Sequence, residues 1–184
     1  MVETYTQECN LDAKAHDFEL RNVDGNFYSL PDLVGTKATL VMFICNHCPY
    51  VKSIIEQLVV EASVMQKKGI GCIAINSNDP ENYPEDSYEN MKNLSKKFGF
   101  SFPYLMDETQ AVARQYQAVC TPDFFGYNSD LQLLYRGRFD DRKTSKQMSA
   151  NSSELFKGMI EIARTGRSPI NQIPSVGCSI KWKE

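Results

Sequence analysis

The sequence lacks most of the marks of a membrane protein, a nucleic-acid binder or a disulfide-built scaffold. No apolar run approaches the roughly 20 residues that a helix needs to cross a bilayer. The opening residues, Met1-Val-Glu-Thr-Tyr-Thr-Gln-Glu, have neither the basic nor the apolar part of a signal peptide, so a cytoplasmic protein is expected. A net charge of −3 supplies no basic field, which argues against nucleic-acid and membrane partners. There is no internal repeat and no low-complexity segment. The six cysteines in 184 residues include only one closely spaced pair, so they do not read as a disulfide framework.

What is present suits one globular domain. An apolar fraction of 42%, with ten Phe and nine Tyr, allows a sizeable core. We read 1–184 as a single domain, with 1–15 a loosely held arm and 167–184 a tail without periodicity. Cys9 in the arm reads as an incidental exposed thiol.

The chain is organised around Thr39-Leu-Val-Met-Phe-Ile-Cys45-Asn-His-Cys48-Pro-Tyr-Val. An apolar run without alternation predicts a strand buried on both faces. From Val51, apolar residues return at helical spacing through Ile54, Ile55, Leu58, Val59, Ala62 and Met65. A strand therefore ends and a helix begins at the Cys-x-x-Cys. The reading places Cys45 at or just before the first helical turn and Cys48 one turn into the helix. Unpaired N–H groups and the helix macrodipole stabilise a thiolate there, which lowers a thiol from its usual pKa of about 8.5. On this geometry Cys45, the more exposed sulfur, attacks a disulfide and Cys48 resolves the mixed disulfide.

The remaining punctuation is regular. Val23-Asp24-Gly25 predicts the turn of an N-terminal β-hairpin, and Ser29 to Gly35 a single helical turn. Lys67-Lys68-Gly69 ends the Cys-x-x-Cys helix, and Ile70 to Ile75 is a second buried strand, with Cys72 facing the core. The long polar loop Asn76 to Asp86 leaves the strand end where Cys45 should lie and is expected to wall the site. Ser87 caps a helix stopped by Gly99, Pro103 to Met106 is a short strand, and Thr109 caps a helix through Tyr116. Phe124 to Tyr127 and Leu131 to Tyr135 form a hairpin, and Ser152 or Ser153 starts a last helix stopped by Gly166. Between them, Arg136, Arg138, Asp140 and Asp141 read as a solvated charged loop, and His16 as surface.

This order resembles the thioredoxin-fold redoxins of the AhpC/TSA type, in particular a peroxiredoxin-like group of thiol-disulfide oxidoreductases. The marks are Phe43-Ile-Cys45-Asn-His-Cys48-Pro-Tyr, Asn76-Ser-Asn-Asp, Cys120-Thr-Pro-Asp-Phe-Phe, Tyr135-Arg-Gly-Arg-Phe-Asp-Asp141 and Gly177-Cys-Ser-Ile-Lys-Trp182. The resemblance implies an α/β thioredoxin-like fold, a central mixed β-sheet flanked by helices. It implies that Pro122 is a cis-proline facing the Cys-x-x-Cys, and that the Thr121 backbone pairs with a substrate peptide as an added strand. Peroxiredoxins carry a threonine or serine three residues before the peroxidatic cysteine, a proline seven before it, and an arginine near the late hairpin. Here those positions are Met42, Ala38 and the Thr121-Pro122 stretch. A breaking O–O bond needs such donors, so disulfide exchange is favoured over peroxide reduction. Thioredoxin's aspartate six residues before the first cysteine is Thr39 here, and the preceding tryptophan is Ile44.

The expected activity is thus thiol-disulfide exchange with a disulfide- or dithiol-containing protein or small-thiol substrate, an unidentified thiol serving as electron donor and no cofactor. His47 stands where oxidising members of the fold carry a histidine, which implies a stabilised Cys45 thiolate and a potential above thioredoxin's value of about −270 mV. Cys120 reads either as a packed small residue or as a third thiol near Cys45, and Cys178 as an extra resolving thiol if the tail folds back. Two alternatives stay open: a thiol-dependent peroxidase in which Cys45 becomes a sulfenic acid, and copper or zinc held by Cys45, His47, Cys48 and Cys120 or Cys178.

Overall fold

In the computed structural model, the described residues are 3–6, 13–144, 151–169 and 171–183. Cys9, read above as an incidental thiol, lies outside them. Strands β1 (Glu3–Tyr5), β2 (Glu19–Asn22) and β3 (Phe27–Ser29) precede the one-turn helix α1 (Leu30–Leu33). Then come β4 (Ala38–Phe43), α2 (Pro49–Lys67), β5 (Ile70–Asn76), α3 (Tyr88–Phe98), β6 (Tyr104–Met106) and α4 (Ala111–Gln115). The chain closes with β7 (Cys120–Thr121), β8 (Asp123–Asn128), β9 (Leu133–Tyr135), α5 (Glu154–Thr165) and β10 (Val176–Ser179). No helix among the described residues is long and apolar enough to cross a membrane.

The main sheet runs β3-β2-β6-β5-β4-β8-β9. It is mixed, because β4 pairs parallel with β5 and antiparallel with β8. All six β4 residues are buried, and alternation along the strand divides them between two cores. Leu40 and Met42 face Ile54 and Leu58 of α2 and Met159 of α5, whereas Val41 and Phe43 face Leu30 of α1 and Val112 and Ala113 of α4. A strand covered on both faces has no polar face to alternate, which is why its sequence reads as an unbroken apolar run. The β2–β3 hairpin turns at Gly25, whose φ of +96° a side chain would strain.

The ends of the chain differ from the sequence expectation. A second sheet, in the order β1-β10-β7, joins both extensions to the domain. Glu3 to Tyr5 pair with Cys178 to Val176, and Cys178 and Ser179 pair with Thr121 and Cys120. The described part of the arm and the tail are therefore built-in strands. Each is only three or four residues long, too short for its period to stand out in sequence.

The charged stretch after β9 also differs. Arg136 is buried, and its Nε and Nη2 donate to Oδ1 and Oδ2 of Asp123 at 3.1 and 2.8 Å. Its guanidinium lies 3.8 Å over the Phe125 ring. Arg138 clamps Glu154 and Arg142 bonds Asp140, so three of the chain's arginines are structural here. The stretch looks solvated in sequence because the partners of Arg136 and Arg138 come from β8 and α5.

Candidate functional site

The Cys-x-x-Cys lies where β4 gives way to α2, as expected, but one turn out of phase. The N-cap of α2 is Cys48, and Pro49 is its first helical residue. Proline suits this position because its missing N–H would be unpaired anyway, so it fixes the helix start after Cys48. Cys45 therefore precedes the helix, and Cys48 takes the place at its N-terminus that the sequence reading gave to Cys45. Cys45 is also not the more exposed sulfur, since both residues are 0% exposed.

The ionisation of each thiol depends on the other. Cys48 is lowered to about 5, chiefly by the bond from the Cys45 thiol, with further bonds from Cys178 and the Val51 N–H outweighing burial. Burial, then the bond to Cys48, pushes Cys45 well above the ordinary thiol value. Of the two, Cys48 is the sulfur whose surroundings favour the thiolate. This is opposite to the expectation that Cys45 is the acidified sulfur, and Cys48 rather than Cys45 is the N-cap of α2.

Thr121 touches both sulfurs. Its Oγ1 lies 3.2 Å from Cys45 Sγ, and its carbonyl oxygen 3.1 Å from Cys48 Sγ. The Thr121–Pro122 peptide bond is cis. The hydroxyl contact to Cys45 is one that sequence reasoning missed, having assigned Thr121 a backbone role only. The free strand edge expected beside Pro122 is absent: β10 occupies it, through the Cys178–Thr121 pair. Cys178 Sγ stands 3.1 Å from Cys48 Sγ. Cys120 is buried with its Sγ 3.6 Å from the Pro122 carbonyl oxygen, and burial holds its thiol far above the ordinary range. It packs as a small apolar residue.

On the other side of Cys45 stands an acid that sequence reasoning did not single out. Asp86, at the end of the loop predicted to wall the site, accepts from the Asn46 N–H at 2.7 Å and from Asn78 Nδ2 at 2.7 Å. Its Oδ2 lies 2.5 Å from His47 Nδ1, and Cys45 Sγ lies 4.0 Å from the same nitrogen. The His47 ring stacks on Tyr83 of that loop with centroids 5.5 Å apart. Burial alone would raise Asp86, but the bonds from His47 and Asn78 outweigh it and leave the carboxyl below its ordinary value. His47 is raised, first by that bond and against burial. Asp86 ends a single 3-10 turn, Pro84–Asp86, in the long connection between β5 and α3, where no periodicity exists to read.

The sign of this coupling can be tested. A histidine raised in the folded state adds stability that is complete below its unfolded pKa of about 6.5 and lost as pH rises through the folded value. Thermal unfolding of His47→Gln should therefore fall furthest below wild type near pH 6, with the gap closing toward pH 9. A gap that is constant across this range would contradict the His47–Asp86 linkage.

Cys45, although buried, borders a cavity that no β10 residue lines. A cavity of ≈ 280 Å³ is lined by Cys45, Asn46, Lys52, Ile55, Lys97 and Phe98, among others, between α2 and α3. Cys45 is the only one of the three clustered sulfurs among its lining residues. The sulfur, nitrogen and carboxylate oxygen of Cys45, His47 and Asp86 also lie within 4.8 Å of one another, a spacing at which a metal ion could be held.

Comparison with known proteins agrees with this architecture. A crystal structure described as an uncharacterized conserved protein from Geobacillus kaustophilus is 45% identical, covering 100% of this chain and 97% of that one, with a TM-score of 0.93. A hypothetical protein from Sinorhizobium meliloti 1021 is 36% identical over 98% of each chain, with a TM-score of 0.91. A thiol:disulfide interchange protein of the thioredoxin family from Chlorobium tepidum TLS shares the fold at 20% identity and a TM-score of 0.62, over 85% of this chain and 99% of that one. A comparison with curated proteins gives no match. The AhpC/TSA family model matches residues 11–139. With a mixed sheet, a thiol pair at the start of α2 and that match over most of its length, the chain is a thioredoxin-fold member of the AhpC/TSA family.

Proposed function

We propose that this protein is a thiol-disulfide oxidoreductase in which Cys45 meets the substrate and Cys48 resolves it. The observation that carries the reading is a buried thiol pair at the start of α2, only one member of which lines a cavity. Charge favours Cys48 as the resting thiolate, whereas access favours Cys45 as the sulfur that a substrate can reach. The two are reconciled by moving the proton. Cys48 accepts the Cys45 proton and donates it to the Thr121 carbonyl oxygen, 3.1 Å away. The Cys45 thiolate so formed accepts from Thr121 Oγ1 at 3.2 Å and faces the His47 ring.

The Cys45 thiolate attacks one sulfur of a substrate disulfide, and the other leaves as a thiolate that takes up a proton. Cys48, deprotonated again, attacks Cys45 Sγ and expels the second substrate thiol. The product is a Cys45–Cys48 disulfide, which an external thiol donor reduces by the reverse steps. Because β10 covers the Thr121 edge, the substrate class that fits is a small-molecule disulfide entering beside α2. Lys52 and Lys97 line the cavity together with Glu56, and the net positive lining favours one that carries carboxylates. In an assay with dithiothreitol as donor, such a disulfide should turn over at least tenfold faster than hydrogen peroxide. Equal or faster peroxide turnover would favour the peroxidase reading.

The cluster of Cys45, His47 and Asp86 supports a second reading, copper or zinc binding. It offers three ligands of the kinds zinc accepts, with a fourth position open. Metal held there would take the sulfur that exchange needs. One bound equivalent in the reduced protein, lost in Asp86→Asn, would favour this reading over exchange.

A further inference from the structure

We infer that Cys178 is a third redox thiol and β10 a substrate strand built into the chain, because β10 lies along the edge beside Pro122 with its cysteine in contact with Cys48. The inference rests on the exchange reading and adds a second disulfide to it.

Three observations carry it. The register is the first: Cys178 pairs antiparallel with Thr121, the residue just before Pro122. A cysteine of an extended peptide docked on that edge would occupy this place. The second is contact, with Cys178 Sγ 3.1 Å from Cys48 Sγ. Forming a bond of about 2.05 Å requires a shift of roughly 1 Å. The third is the closeness of the strand to the edge. A Cβ on Gly177 would lie 2.1 Å from the Thr121 carbonyl oxygen and 3.1 Å from the Pro122 nitrogen. Only glycine lets β10 lie this close, so the approach is written into the residue before Cys178.

The chemistry follows from what Cys48 does to its neighbour. The Cys178 thiol touches Cys48 Sγ, and burial first, then that neighbour, holds it above the ordinary thiol range. Once Cys48 is bonded to Cys45, the neighbour's share of that effect is gone, and the burial that remains is met by passing the Cys178 proton to the departing Cys45. The Cys178 thiolate then attacks Cys48 Sγ, the Cys45–Cys48 bond breaks, and Cys45 leaves as a thiolate that receives the Cys178 proton. One disulfide is made and one is broken, with no net oxidation. Cys45 faces the cavity again as a thiol, while the oxidised pair, Cys48–Cys178, lies under β10. The new bond also pins β10 on the Thr121 edge, which keeps peptides off it in the oxidised state as in the reduced one.

The test is disulfide mapping of the full-length protein. One equivalent of diamide, which removes two electrons and two protons from a thiol pair, is followed by acid quench, alkylation and peptide mass spectrometry. Wild type should give both Cys45–Cys48 and Cys48–Cys178 peptides, and Cys45→Ser should give Cys48–Cys178 as its main product. Gly177→Ala, which pushes β10 away, should lower the yield of Cys48–Cys178 at least tenfold and keep Cys45–Cys48. Wild type with Cys45–Cys48 alone overturns the inference and leaves exchange standing, and this holds even if a variant fails to fold. Wild type with neither peptide overturns both.

Discussion

Replacing Cys45 by serine should lower disulfide turnover by at least about a thousand-fold, since loss of a nucleophile can cost about a million-fold in turnover. The hydroxyl that takes its place has the same reach into the cavity but is not deprotonated near neutral pH, so the first bond cannot form. The prediction discriminates between two roles for Cys48. If Cys48, which carries the resting charge, were itself the first attacker, Cys45→Ser would remove only a hydrogen-bond donor and would cost far less. Initial rates with a small carboxylate-bearing disulfide, compared between wild type and the variant at pH 7, measure the difference. A loss under about tenfold would transfer the first step to Cys48. Both sulfurs are buried, but only Cys45 lines the cavity, and a thiolate that no substrate reaches does not react.

Breaking the Arg136–Asp123 pair should be the most damaging single change to stability. Both side chains are nearly sealed from water, at 6% and 0% exposure, and the guanidinium meets the carboxylate in two parallel hydrogen bonds. Burial pushes the Asp123 carboxyl up to about 6 against the pull of Arg136, so it is ionised at pH 7 only because the arginine is there. Removing the arginine strands a buried carboxyl group, a loss of about 3–5 kcal/mol. In a chain of this size that corresponds to a fall in Tm of roughly 10 °C. Arg136→Met should show this loss, whereas the double variant Arg136→Met/Asp123→Leu should recover most of it. Denaturant unfolding of the three proteins checks both statements, and equal losses in the single and double variants would contradict them. The pair also has a place in function, since Asp123 follows Pro122 and Arg136 Nη2 donates to the Gln117 carbonyl oxygen at 3.3 Å. It fastens the segment that holds Thr121 against the two sulfurs.

Much of the molecule was legible before any coordinates. The unbroken apolar run of β4, the helical spacing of α2, and the Ser87, Gly99, Ser153 and Gly166 caps each carry a local signal, and each lies where it was read. Thr109 was expected to cap α4, but the N-cap is Gln110, in a left-handed conformation that propensity does not favour for glutamine. The helix phase at the Cys-x-x-Cys was misread by three residues. Apolar periodicity fixes which face of α2 is buried and says little about which turn comes first, whereas Pro49 marks the start. What lay beyond reach was long-range. Arg136 meets Asp123, Asp86 meets His47, and β10 meets β7 through contacts between segments far apart in the chain, and no spacing in one sequence encodes such pairs. Cys178 illustrates the limit. Its place in an aperiodic tail allowed an extra thiol to be considered, and only the pairing of β10 gave it a partner.

The most direct test of the division of labour between the two sulfurs is a trap. Cys48→Ser protein is mixed with an excess of a small disulfide and its intact mass and peptide map are recorded. One substrate half should be bound covalently to Cys45 and persist, because the sulfur that would release it is gone. An adduct on another cysteine, or no lasting adduct while the disulfide is still consumed, would contradict the exchange mechanism.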